Sequence, residues 1–186
     1  MDWLPNLQLV WAGGWTLMLF AFAIQWGLLF SMPRGVFTRL FDRREWGKKR
    51  MALFRTGKLL ALVCILIVSF FPIQTGTLFF IPGVVLYVLG LAGLVISLLD
   101  YRNTPNDQPA MKGLYRFSRH PQVMATAVVF LGICLMVASP LAIACLLLAR
   151  VLEHNGILEE ERLCLQYYGE TYRDYMQRVP RYFWFF

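Results

Sequence analysis

The interleaving of apolar runs with basic segments constrains this chain more than any other feature. Apolar stretches cover roughly Leu9–Met32, Leu59–Phe71, Leu78–Leu99 and Val123–Leu152. All 18 Lys and Arg residues lie between these runs or at and beyond the end of the last one. About 20 apolar residues at ~1.5 Å rise match the ~30 Å hydrocarbon core of a bilayer. The second run is short and is expected to reach back into the segment before it. The fourth is too long for one span and too short for two full spans with a loop. Ser139-Pro140 divides it near the middle, and proline suits the first turn of a new helix, which predicts a helical hairpin with a tight turn. One long kinked helix is the alternative.

Composition agrees with a membrane protein. The chain is 58% hydrophobic and 16% charged, with a mean hydropathy of +0.54. The expected fold is all-α: a polytopic transmembrane bundle of about five spans, with a helical extension beyond the membrane at the C-terminal end. Residues 1–186 are expected to form one domain, with N-terminal spans and a basic segment over 1–112 and a ligand-binding region over 113–181. No cleavable leader is expected, because MDWLPNLQ lacks a basic start and the first apolar run is long enough to span.

Basic residues also set the expected orientation. Nine follow the first run, from Arg34 to Lys58; four follow the third, from Arg102 to Arg119; five lie from Arg150 to Arg181. The N-terminal octapeptide, residues 72–77 and the hairpin turn have none. Five spans with the N-terminus outside and the C-terminus in the cytoplasm satisfy this pattern. The net charge of +7 is therefore assigned to anionic lipid headgroups and not to nucleic acid. Residues Pro33–Lys58 mix cations with Val36, Phe37, Leu40, Phe41 and Trp46, which reads as either an interfacial helix or a solvated basic loop.

The first three spans hold no carboxylate, Lys, Arg or His at their centres, which argues against an ion path or transport site. Cys64, Cys134, Cys145 and Cys164 form no C-x-x-C pair and are expected as free thiols, the first three within apolar runs; no metal site is implied. Titratable groups gather instead in two places: Tyr115–His120, entering the fourth run, and Arg150–Arg181. Positive-inside anchoring explains Arg119 well but His120 poorly. In the second cluster Glu159, Glu160 and Glu161 are consecutive among only 11 acidic residues. A solvated face is the plain reading, yet the triplet follows Gly156-Ile157-Leu158 closely, so at least one carboxylate should lie at the bilayer edge, facing Arg119 or a cationic ligand.

Taken together, the clusters are specific. Gly113-x-Tyr115-x-x-x-Arg119-His120-Pro121, then Glu160-Glu161-x-Leu163, Tyr168-Gly169-x-x-Tyr172-x-x-Tyr175 and Val179-Pro180-Arg181, resemble the isoprenylcysteine carboxyl methyltransferase and phospholipid methyltransferase superfamily. The resemblance implies a small helical membrane methyltransferase using S-adenosylmethionine, with a lipid-like or prenylated acceptor arriving from the membrane lipids. By that resemblance Tyr115, Arg119, His120, Pro121, Glu160 and Glu161 would hold the cofactor, and Glu160, Glu161 and Arg119 would serve the reaction. Arg suits a carboxylate, carboxylates suit hydroxyls or an ammonium, and aromatic faces suit a sulfonium. Two departures stand out. Val123 occupies a position where the family often has tyrosine, and the nearest pair of glycines in the third run, Gly90 and Gly93, has spacing three where phosphatidylethanolamine methyltransferases carry Gly-x-Gly; helix packing explains small residues there equally well. The alternatives are a nicotinamide-dependent membrane reductase related to sterol reductases, and a non-enzymatic membrane scaffold.

Overall fold

Proline, glycine and serine set most of the helix boundaries in the computed structural model, which describes residues 13–105 and 107–183. Among these there are seven α-helices: α1 (Gly14–Phe30), α2 (Arg34–Phe41), α3 (Lys48–Ser69), α4 (Phe80–Arg102), α5 (Pro121–Met136), α6 (Pro140–Tyr168) and α7 (Glu170–Arg178). A short 3-10 turn, Gly113–Arg116, precedes α5. Helices α3, α4 and α6 are each long and apolar enough to cross a membrane, whereas α1 and α5 are apolar helices of 17 and 16 residues. The beginning of the first expected span and the N-terminal octapeptide lie outside the described residues.

The second run does reach back: α3 begins at Lys48, well before Leu59. The segment Pro33–Lys58 is neither one interfacial helix nor a solvated loop. It divides into α2, a short connection and the basic first turns of α3. The break has a local cause. Asp42 leaves the helix in an extended conformation, accepts from the backbone N–H of Arg44 at 3.2 Å and pairs with its guanidinium at 2.7 Å. Helix α2 packs inward through Val36, which is buried with Leu29, Met32, Leu94 and Leu98.

The expected hairpin is present. Ser139 caps α6 by accepting from the Ala142 N–H at 3.2 Å, with Pro140 at the first helical position. Ala138 takes a positive φ of 50° to complete the turn. This end of the bundle is tied together by backbone bonds: Gln74 donates to the Met136 carbonyl at 2.8 Å and Gly14 to that of Phe71 at 3.1 Å. The five apolar helices thus alternate in direction, and α2, α7 and the basic residues collect at the opposite end.

Packing within the bundle is pairwise, α4 along α5 and α3 along α6, with α1 touching α3, α4 and α5. Glycine permits the closest approach. A Cβ on Gly83 would meet the Gly132 carbonyl and Met136 Cγ at 2.8 Å, and one on Gly90 would meet the Val129 nitrogen at 2.7 Å. Gly90 therefore serves helix contact, as small residues do between membrane helices. Buried Met18, Cys64, Val68, Tyr87, Ile133 and Leu146 fill the centre. The cysteines are free; Cys64 and Cys134 are buried with sulfurs 3.9 Å apart, while Cys145 and Cys164 are partly exposed. Outward faces carry bare Leu59, Leu62, Leu66, Ile81, Leu89, Leu147 and Leu148. So much exposed apolar surface is unsuited to water and suited to lipid. This is an integral membrane protein.

The Gly83→Ala variant is expected to lose about 1–3 kcal/mol of stability, because the backbone of α5 blocks the added methyl. Gly27→Ala, which meets nothing within 4 Å, should be neutral or slightly stabilising. Thermal unfolding of the two variants in detergent compares them directly.

Candidate active site

The basic end of the bundle is shaped by a glycine turn. Gly113 has φ +60°, and a Cβ there would overlap the Asp100 carboxylate, so only glycine allows the chain to close against the end of α4. Asp100 then accepts from the Leu114 N–H at 2.8 Å. The turn drives Tyr115 inward to 7% exposure, where its hydroxyl accepts from Gln122 Nε2 at 2.9 Å and its carbonyl from the Tyr175 hydroxyl at 2.6 Å. Farther along, Arg119 donates its backbone N–H to the Pro180 carbonyl at 3.0 Å, and Ser118 Oγ donates to the Arg181 carbonyl at 2.9 Å. The Val179-Pro180-Arg181 element is thereby laid against the start of α5.

The glutamate triplet occupies the extension of α6 beyond its apolar portion. At 3.6 residues per turn three consecutive side chains diverge by ~100° each, and each has its own partners. Glu159 turns to Arg162 at 2.7 Å and Arg50 at 3.3 Å, joining α6 to α3. Glu161 turns the other way and is 3% exposed. It accepts from Arg181 at 2.7 Å, lies 3.2 Å from Arg119 Nε and 3.3 Å from His120 Nε2. Burial disfavours its charge, but the hydrogen bonds of His120 and Arg181, with Arg119 nearby, outweigh that and hold the carboxyl at about 2. Glu160 points between these two directions. Its side chain is 42% exposed, with Oε2 3.8 Å from His120 Nδ1. It lines a cleft, and burial among the surrounding protein pushes its pKa up, with His120 partly offsetting the rise.

Gly169, φ +55°, ends α6 and redirects the chain into α7. The turn brings Tyr172 and Tyr175 inward to 5% and 3% exposure, which accounts for the spaced Tyr-Gly-x-x-Tyr-x-x-Tyr element.

These pieces enclose a cleft of about 640 Å³, within the usual size range of cofactor sites. Tyr115, Arg119, His120 and Glu160 line it, so four of the six residues anticipated from sequence converge there. Pro121 and Glu161 do not line it; Pro121 starts α5, and Glu161 lies behind the wall, holding Arg119, His120 and Arg181 together. The α2 wall was not anticipated. Arg39 stacks 4.7 Å over the Tyr101 ring, donates to its hydroxyl at 3.0 Å and reaches the Pro105 carbonyl at 3.0 Å. A basic residue in a basic segment carried no signal of this. Arg181 was visible only as part of a motif, not as the partner of Glu161.

A second cavity, of about 200 Å³, adjoins the first, and Leu40, Gln122, Val123 and Glu160 line both. Val123 thus stands at the junction, where a larger side chain would intrude on both spaces.

Comparison with known proteins places the pattern. The family described as phospholipid methyltransferase matches residues 74–171. No curated protein and no solved structure matches the chain.

Replacing Glu161 by Gln leaves Arg119 and Arg181 without their buried counter-charge and is expected to cost about 3–5 kcal/mol in detergent unfolding experiments. Because the folded pKa is depressed, the carboxylate's contribution is complete above its ordinary value of 4.5 and lost as pH falls toward about 2. The acid limb of the stability profile should therefore flatten in the variant.

Proposed function

The chain belongs to the phospholipid methyltransferase family, and from that premise we propose that it transfers a methyl group from S-adenosylmethionine to a lipid-like acceptor held at the basic end of the bundle. The acceptor is of the phospholipid-amine or isoprenylcysteine-carboxylate kind. The observation that carries this reading is the position of Glu160 at the junction of a large cleft rich in charged and tyrosine side chains and a smaller cavity with a wall of Leu29, Leu94, Leu98 and Ile157. Two substrates of opposite character have to meet in such a reaction, one water-soluble and one membrane-borne.

The cleft fits the cofactor in charge and in surface. Its lining sets Asp42, Glu45, Asp107 and Glu160 against Arg39, Arg44 and Arg119, with His120 beside them. With His120 neutral that is a slight negative excess, complementary to a ligand with two cationic centres and one carboxylate. Arg119 Nε is buried without a hydrogen-bond partner among the described residues, although it lies within ion-pair distance of Glu161. With Nε facing Glu161 and Nη1 donating to the Met176 carbonyl at 3.4 Å, its remaining N–H groups are the ones suited to a carboxylate. Tyr115, Tyr168, Tyr172 and Tyr175 supply hydroxyls and ring faces, which suit ribose and a sulfonium.

When bound, S-adenosylmethionine supplies a methyl group on a sulfonium that departs as a neutral thioether. The protein's own task is alignment and exclusion of water. Glu160 is placed to attract the cationic donor and, for an amine acceptor, to take the proton that the nitrogen must shed. Its raised pKa makes it a better proton acceptor than an ordinary carboxylate. A carboxylate acceptor needs no base, and Glu160 then acts through charge alone. Glu161 acts as a positioning residue through Arg119 and His120. By the distribution of basic residues, the cleft faces the cytoplasm and the N-terminus lies outside.

Calorimetric titration of the purified protein with S-adenosylmethionine, followed by turnover of the labelled cofactor with membrane lipid extract or a prenylated-cysteine analogue, tests the proposal. Absence of cofactor binding would sink it. Glu160→Gln is expected to slow turnover by about 10²-fold or more. In the unmutated protein activity should fall as pH drops through the raised pKa of Glu160, and the variant should lose that dependence. Val123→Phe should raise KM for the lipid acceptor more than for the cofactor.

A further inference from the structure

The smaller cavity has a chemistry of its own. Its apolar wall is formed by Leu29, Leu94, Leu98 and Ile157, and its rim carries Arg43, Lys58 and Arg150. Leu29, Leu94 and Leu98 are each 2% exposed, so this wall belongs to the packed interior. Lys58 immediately precedes the apolar run of α3, and Arg150 lies near the end of the apolar part of α6. That is the depth at which a lipid headgroup meets its chains.

The three cations have different degrees of compensation. Glu153, 5% exposed, pairs with Lys58 at 3.1 Å and with Arg150. One buried carboxylate therefore serves two cations. Arg43 forms no ion pair among the described residues. Its guanidinium is held by aromatic rings, 4.9 Å from the centre of Phe54 and 5.4 Å from that of Trp46. The Nε atoms of Arg43 and Arg150 are both buried without a hydrogen-bond partner among the described residues. Leaving such donors unmatched is costly, and an incoming acceptor oxygen would relieve the cost. Glu160 is the remaining carboxylate of the lining, and it sits at the junction with the cleft. Even with Glu160 ionised, the cavity holds three cations against two carboxylates.

We infer that Arg43, Lys58 and Arg150 form a seat for the oxyanion of an apolar-tailed ligand: a lipid phosphate, whose nucleophile then lies toward Glu160, or a lipid-linked carboxylate, which is itself the nucleophile. The inference deepens the methyl-transfer reading, on which the ligand's role as acceptor rests; the seat itself rests on the cavity. Arg43 and Lys58 lie outside residues 74–171, the stretch matched by the family. The family match therefore assigns them nothing. Arginine is suited to this position because its planar fork can stack on Phe54 while presenting donors to two oxygens of one anion.

The test is binding to the full chain in detergent, measured by calorimetry, with four probes. Dihexanoyl phosphatidic acid and N-acetyl-S-farnesylcysteine carry a phosphate or a carboxylate on an apolar tail. Dihexanoylglycerol has the tail without the anion, and inorganic phosphate the anion without the tail. Either or both of the first pair should bind, and whichever binds more tightly identifies the source of the oxyanion. The double variant Arg43→Gln, Lys58→Gln should weaken that binding by about tenfold or more, while Arg43→Lys, Lys58→Arg should retain most of it. Equal binding of dihexanoylglycerol, equal binding of inorganic phosphate, or binding insensitive to the double variant would each overturn the seat. Retained S-adenosylmethionine binding in the double variant shows that it is folded. If the unmutated protein binds the lipid probe but not S-adenosylmethionine, the methyl-transfer reading fails and the seat stands.

Discussion

Glu161 is the contact on which the basic end of the molecule depends. A carboxylate 3% exposed is an expensive thing to bury, and it is tolerable here because Arg119, His120 and Arg181 surround it. These three come from the start of α5 and from the segment after α7, so one side chain of α6 joins elements far apart in sequence. The backbone bonds from Arg119 to Pro180 and from Ser118 to Arg181 run alongside the same ion cluster. The cluster adds to these bonds and to the Tyr175–Tyr115 hydrogen bond in holding α7 and its tyrosines over the cleft.

The neighbouring carboxylates show how helix geometry divides labour. Glu159, Glu160 and Glu161 have the same chemistry and nearly the same depth, and ~100° between successive side chains separates their roles. Glu159 secures α3 and Glu161 secures the C-terminal segment. Only Glu160 is left facing space. Its environment follows from that remainder: enclosed enough for burial to raise its pKa, yet unclaimed by any arginine at ion-pair distance among the described residues.

The parts of this arrangement legible in sequence were those governed by local rules. Apolar run lengths located the helices and Ser139-Pro140 located the hairpin turn, whereas the Tyr-Gly-x-x-Tyr element was legible only as part of a family motif and its turn at Gly169, φ +55°, only in the structure. Tyr115, Arg119, His120 and Glu160 were identified as a group because their motifs resemble a family, and they do share a cleft. What sequence could not separate was the glutamate facing the cleft from the one behind it, since that depends on the rotation of α6 against α5. Nor could it single out Arg39 or Arg43 from the nine basic residues after the first run. Their distinguishing property is an aromatic partner, Tyr101 for one and Phe54 for the other. The break at Asp42 was hidden for the same reason: an amphipathic pattern continues across it, and only the Asp42–Arg44 bonds interrupt the helix.

Two cavities meet at one carboxylate, Glu160: in the larger the other acidic residues and arginines balance, and in the smaller three cations face Glu153. Ionisable residues are thus concentrated at one end of a bundle with no charged group at the centres of its first three spans. An anion drawn into the smaller cavity is repelled by Glu160 and attracted by Arg43, Lys58 and Arg150, which holds it away from the junction. A cation in the larger cleft is drawn toward the same carboxylate. In the proposed reaction that field would orient a phospholipid with its phosphate in the smaller cavity and its nucleophile toward the junction. Val123 matters here because it is small: it lines both cavities, and an aromatic ring in its place would intrude on the space between them.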